Sequence, residues 1–289
     1  MFRFPPSRIL SPVDFSKPSL AGLELAVALA RRFRASLDLL YVQEIPLSLL
    51  GMGDGEALGA SALVRQMGEF RRWRLDMLRQ AASGLPEKRV QVHSATGGVP
   101  EEVVSLARRR RDGLIVMGTH GYAGAGRLLA GSVTESVVHR CEVPVLATRG
   151  VLRGALCRRV LVPCNLEPYA DEALRYALEL ARAFGARVTA LYVAAPEPRT
   201  SRALLQEHLR RVLPRGAAAV EAVAAVGDPR TVVPEQAERG DFDLVVLSAH
   251  RKPIFRSLAL GSTAENVLRH CPVPVLAVPS AVVGGRAAA

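Results

Sequence analysis

Lysine is nearly missing from a chain with excess positive charge. Lys17, Lys88 and Lys252 are the only three in 289 residues, so arginine carries almost all of the net charge of +11. Cysteine is also sparse. Cys141, Cys157, Cys164 and Cys271 show no Cys-x-x-Cys spacing, which removes the usual zinc and dithiol motifs and suits a reduced, cytoplasmic protein. No apolar run reaches the ~18 residues of a membrane span, so no membrane partner is expected. The opening MFRFPPSRIL lacks the apolar core and cleavage site of a secretory signal, and none is expected. Aromatic residues make up 5% and do not interleave with the arginine clusters Arg31-Arg32, Arg71-Arg72 and Arg108 to Arg111. Those clusters read as solvated helix faces. A polyanion-binding surface is the alternative, and nucleic acid is not the expected partner. An apolar content of 49% excludes a disordered chain.

What is present is present twice. Ile9–Ser16 (ILSPVDFS) returns as Val160–Glu167 (VLVPCNLE), and Tyr41-Val42 as Tyr192-Val193, each 151 residues later. Gly118-Thr119-His120-Gly121 returns as Ser248-Ala249-His250-Arg251, Gly131-Ser132 as Gly261-Ser262, and the Val143 to Ala147 run as Val273 to Ala277, each 130 residues later. The second copy is therefore shorter by about one long loop. Cys141 and Cys271 are equivalent positions, which points to inherited packing rather than a disulfide.

Each copy alternates short apolar runs with helical periodicity. Strands are expected at residues 8–13, 37–42, 89–93, 114–117 and 143–148, and again at 159–163, 187–193, 220–225, 244–247 and 273–278. Helices are expected at 19–33, 61–82, 99–110 and 132–140, and again at 169–184, 201–212, 231–238 and 262–270. This alternation implies an α/β fold with parallel sheets covered on both faces. The expected domains are 1–150 and 156–280. Gly51 to Gly55 reads as a loop or lid, Gly150 to Ala155 as a linker, and Ala281–Ala289 as a frayed tail.

In such a sheet, ligands bind outside the carboxyl ends of the strands, at the switch point. Asp14 follows the first strand, Gly118 to Gly126 the fourth, and Gly131-Ser132 opens the last helix. Glycines without Cβ atoms and the free amides of Gly131, Ser132, Val133 and Thr134 have the chemistry of a phosphate cradle. The plainer reading is a turn followed by an N-cap at Ser132. Asp14 is either a hydrogen-bond acceptor for a base or sugar or an Asx-turn residue. Val42 either offers backbone groups to an adenine edge or is core. His120 either helps neutralise phosphate or packs the loop.

On these residues the chain resembles a tandem universal stress protein of the adenine-nucleotide-binding α-hydrolase-like superfamily. The carriers are Gly118, two residues, Gly121, nine residues, Gly131-Ser132, together with ILSPVDFS, the GGVPEEVV stretch from Gly97 and LIVMGTHG. The resemblance implies two Rossmann-like domains, each a five-stranded parallel sheet of order 3-2-1-4-5 sandwiched by helices. It implies last strands that pair as an intramolecular pseudo-dimer, with a further homodimer left open. It also implies ATP, with Mg²⁺ in company. Asp14 and Val42 would meet adenine, and Gly98 and Val99 the adenosine moiety. Gly118, Gly121, Gly131, Ser132 and Val133 would hold the ribose and phosphates.

The second copy departs from the signature at Asn165, Ser248 and Arg251, and is expected to be degenerate. No catalytic residue and no metal-ligand set is picked out. The expected function is a stress-response protein whose first domain binds ATP or a related adenine nucleotide as a sensor or regulator. The alternatives are a nucleotide-free interaction protein and a slow ATP hydrolase.

Overall fold

The computed structural model describes residues 4–43, 57–111, 113–119, 132–150, 157–194, 198–214, 219–249, 251–254 and 257–280. The expected Gly51 to Gly55 loop, most of the linker and the Ala281–Ala289 tail lie outside them.

The first half runs β1 (Arg8–Pro12), α1 (Lys17–Phe33), β2 (Ser36–Gln43), α2 (Ala57–Ala81), β3 (Val90–Thr96), α3 (Val99–Arg110), β4 (Leu114–Gly118), α4 (Ser132–Arg140) and β5 (Val145–Thr148). The second half runs β6 (Arg159–Cys164), α5 (Asp171–Phe184), β7 (Arg187–Ala194), α6 (Pro198–Val212), β8 (Val220–Val226) and α7 (Pro229–Arg239). It continues with β9 (Leu244–Ala249), a hairpin of β10 (Arg251–Ile254) and β11 (Ser257–Leu260), then α8 (Ser262–His270) and β12 (Val275–Pro279). Local chemistry sets the ends. Ser16 caps α1 by accepting from the Ser19 N–H at 3.3 Å, and Pro18 sits in the first turn, where no donor is lost. Residues in the left-handed region, Arg34, Arg111 and Gly185, close α1, α3 and α5.

All ten long strands form one sheet, in the order β3-β2-β1-β4-β5-β12-β9-β6-β7-β8. Within each half every pairing in this sheet is parallel and the order is the expected 3-2-1-4-5. The halves join where β5 runs antiparallel to β12, with Leu146 opposite Leu276. These two leucines are equivalent residues of the repeat, so a pseudo-twofold axis passes through the pair. Other equivalent residues meet across it. Phe33 and Phe184 stack edge to face at 5.3 to 5.5 Å along a chain that includes Phe4 and Tyr176. On the opposite face Arg269 grips Glu135 at 2.6 Å and 2.7 Å, and the mirrored pair His139–Glu265 lies at 3.4 Å. A self-complementary interface of this kind is what a twofold dimer has, here inside one chain.

Two apolar layers cover the sheet. Leu29, Leu37, Leu78, Leu174 and Leu205 belong to one, and Leu10, Ile115, Val137, Val245 and Val267 to the other. One carboxylate is fully enclosed among them. Asp38, fully enclosed on β2, accepts from Arg8 at 3.1 Å, contacts His93 at 2.7 Å and lies 3.3 Å from Arg110. Burial would raise its pKa, but the bonds from His93 and Arg8 and the charge of Arg110 outweigh it and hold the carboxyl at about 2. The second half has Thr189 at this place, bonded to Glu221 at 3.2 Å.

Candidate functional site

The crevice forms where β1 is flanked by β2 on one side and β4 on the other, so the chain leaves the strand ends in opposite directions. Asp14 stands at its rim, exposed. Its Oδ1 accepts the Ser16 N–H at 2.9 Å, and Phe15 between them has φ 67°. That is an Asx turn. In the second half Asn165 Oδ1 accepts the Glu167 N–H at 3.2 Å around Leu166 at φ 63°. The turn therefore forms with either side chain. The exchange of Asp for Asn keeps the turn, removes a charge from the crevice and adds an amide donor, which Asn165 gives to the Tyr169 hydroxyl.

Val42 lies half-buried near the end of β2, opposite Ala95 of β3. Gly98 is the N-cap of α3, Val99 its first residue, and the preceding Gly97 has φ 139°. Its counterpart Gly227 has φ 138°. Only glycine holds that conformation without strain, so both turns into α3 and α7 are fixed by a glycine. Asp14 follows β1, Gly98 and Val99 follow β3, and Val42 and Gly118 lie within the carboxyl ends of β2 and β4. His120, Gly121 and Gly131 lie outside the described residues, and Ser132 is described only as the start of α4.

Gly118 has a packing reason for lacking a side chain. A Cβ there would sit 2.1 Å from the Pro18 carbonyl oxygen and 2.5 Å from the Ser19 nitrogen, and a Cβ on Gly22 would sit 2.7 Å from the Gly118 nitrogen. The first turn of α1 lies directly on the end of β4. Thr134, only 3% exposed, directs its hydroxyl to the Gly118 carbonyl at 3.4 Å. The Thr119 N–H donates to the Thr148 carbonyl at 2.7 Å and locks β4 to β5.

The second half solves the same contact differently. Its chain enters α5 through one turn of 3-10 helix, Pro168–Ala170, and Ser248 donates its hydroxyl to the Tyr169 carbonyl at 2.9 Å. The side chain that Ser248 carries in place of a glycine is accommodated, because its hydroxyl is bonded to the turn that enters α5. A cavity of about 220 Å³ stays open beside it, lined by Asn165, Tyr169, Val193, Ser248, Ser262 and Thr263 over a floor that includes Leu191 and Leu247. Val193, Pro229 and Gly261-Ser262-Thr263 are the counterparts of Val42, Val99 and Gly131-Ser132-Val133. The cavity thus occupies the repeat position of the first-half site. At the N-terminus of α8, Gly261 offers no side-chain cap, and among the described residues the first amides of that helix remain for another acceptor. Asp171, which starts α5, is buried against His208 of α6 at 2.8 Å and fixes the wall that carries Tyr169.

Cys164 also lines this cavity. Burial, with Asp171 nearby, pushes its thiol up to about 12, so it is a packing group and not a nucleophile. All four cysteines are buried. Among the described residues no group of three His, Cys, Asp or Glu side chains could hold a metal ion. Among them, too, no helix is long and apolar enough to cross a membrane. The roles of Tyr169 and Thr263 escape motif reading. The constant repeat offset was the one signal that pointed to both places.

A family model described as the universal stress protein family matches residues 6–149 and again 157–279. A universal stress protein of Methanocaldococcus jannaschii is 32% identical over 146 residues, covering 49% of this chain and 81% of the relative. One from Bacillus subtilis is 27% identical over 146 residues, covering 50% and 99%. Among solved structures, a universal stress protein from Archaeoglobus fulgidus superposes with a TM-score of 0.75 over 96% of this chain and 99% of that one. Its identity of 23% speaks to fold alone.

Proposed function

The chain belongs to the universal stress protein family, and from that premise we propose that its first half binds ATP or a related adenine nucleotide and acts in the cytoplasm as a nucleotide-dependent regulator. One observation carries the reading: the complete set Gly118, Gly121, Gly131-Ser132 occurs in the repeat that also keeps Asp14. Asp14 offers a charged acceptor to the base or sugar, Val42 its backbone groups, and the turn at Gly98-Val99 the far wall. The amides at the start of α4 face the phosphates, and Mg²⁺ arrives with them. Binding would order the segments around the crevice and change the surface offered to partners.

The rival reading is a nucleotide-free interaction protein. It is favoured by the way Gly118 and Thr134 are used in packing. Calorimetric titration with Mg·ATP separates the two. Asp14→Asn retains the Asx turn, as Asn165 does, and loses the charge. A hydrogen bond to a charged group contributes about 1.5–3 kcal/mol, so affinity falls by about ten- to a hundredfold. An unchanged affinity removes Asp14 from the site. No heat with the wild-type chain decides for the rival reading.

A further inference from the structure

The outward side of α2 carries two rows that no other part of the described chain covers. One is apolar: Phe70, Trp73 and Met77 are 53%, 57% and 37% exposed, at the i, i+3, i+7 spacing that puts them on one stripe. The other is charged and alternates in sign: Glu69, Arg72, Asp76 and Arg79, all exposed, with Arg79 donating to Asp76 at 2.6 Å within the helix. The helix is held to the sheet from its other side. There Leu78 is fully buried, and Arg74 lies over the Tyr41 and Phe15 rings at 4.8 Å and 5.8 Å. Among the described residues the stripe is therefore surplus to the fold, and it contains the only tryptophan of the chain.

We propose that this face of α2 is a dimer interface that pairs with the same face of a second copy of the chain. The argument is the charge order. When two copies of a helix pack antiparallel about a twofold axis, residues equidistant from a central position meet, and each row meets its own counterpart. Centred on position 74, Glu69 meets Arg79 of the second copy and Arg72 meets Asp76, at both ends. Phe70 comes against Met77, and the two Trp73 side chains meet near the axis. An anionic surface or a purely acidic partner would leave Glu69 and Asp76 facing like charge. The repeat supports closure at two chains, because the counterpart positions on α6 are Thr200, Ala203 and Glu207, which form no stripe. From Glu69 to Arg79 the face is only about 15 Å long. That is smaller than a permanent interface needs, so the dimer is reversible. The inference does not depend on nucleotide binding.

Sedimentation velocity combined with Trp73 emission tests it. The wild-type chain should pass from monomer to dimer with rising concentration, with the emission shifting blue in step. Phe70→Ser should weaken dimerisation by about tenfold or more. Glu69→Arg alone sets like charges together at both ends, and so does Arg79→Glu alone, so each variant should sediment as a monomer where wild type is dimeric. An equimolar mixture of the two variants restores opposite charges and should dimerise again. A loss of folding would not be rescued by mixing. The proposal is overturned if the wild type stays monomeric up to about a millimolar, a weak-affinity limit. It is equally overturned if a dimer forms whose stability neither charge variant changes, or if mixing fails to restore it.

Discussion

Replacing Gly118 by alanine puts a methyl group 2.1 Å from the Pro18 carbonyl oxygen and 2.5 Å from the Ser19 nitrogen. Neither atom is the end of a flexible side chain. Both belong to the first turn of α1, so relief requires that turn to move by more than an ångström off β4. Overpacking of this kind costs about 1–3 kcal/mol. Stiffening of the unfolded chain returns about 0.4–1 kcal/mol. The net expectation is a loss of about 1.3 kcal/mol, or about 5 °C in melting temperature for a domain of this size. Gly68→Ala is the control: nothing lies within 4 Å of its Cβ, so the same chemical change inside α2 should stabilise by about 0.8–1 kcal/mol. Denaturant unfolding of both variants gives the two signs in one assay. If Gly118→Ala is as stable as wild type, the close approach of α1 to β4 is wrong. The result also bears on function, because lost nucleotide binding in a Gly118 variant reports on packing before it reports on ligand contact.

Acid unfolding should be steep between about pH 4 and pH 2. Asp38 is held at about 2 in the folded chain against an ordinary 3.8, so its contribution of about 2 kcal/mol is complete above pH 4 and is lost as the pH falls through 2. Asp38→Asn should lower stability at neutral pH and flatten that acid limb, and an unchanged limb would remove Asp38 as its source. Among the described residues the buried Tyr176 hydroxyl has no partner, so Tyr176→Phe should leave the melting temperature unchanged or raise it. A fall of several degrees would show that the hydroxyl has a partner after all.

The sheet was legible because its evidence is local and repeated: short apolar runs, helical spacing and two constant offsets place ten strands and eight helices. The hairpin at β10 and β11 was not. It replaces the glycine loop of the first half, and Pro253 within β10 argues against a strand when read alone. The reason for Gly118 was equally hidden, since a glycine near a crevice reads as room for a ligand until Pro18 is seen against it. Asp38 looked like one polar residue in an apolar strand. Its partners Arg8, His93 and Arg110 come from three other elements and meet only in the folded chain. At the candidate site the sequence carries the types and order of the residues. It does not carry the fact that Asn165 builds the same turn as Asp14, or that a cavity stays open beside Ser248.

The central claim is one working adenine-nucleotide site per chain, in the first half. It is tested most directly by denaturing freshly purified protein and counting the nucleotide released. Close to one adenine nucleotide per chain is the expected result. Close to two would give the second-half cavity a nucleotide of its own and overturn the asymmetry between the halves. None, with no calorimetric heat on adding Mg·ATP, would contradict nucleotide binding altogether.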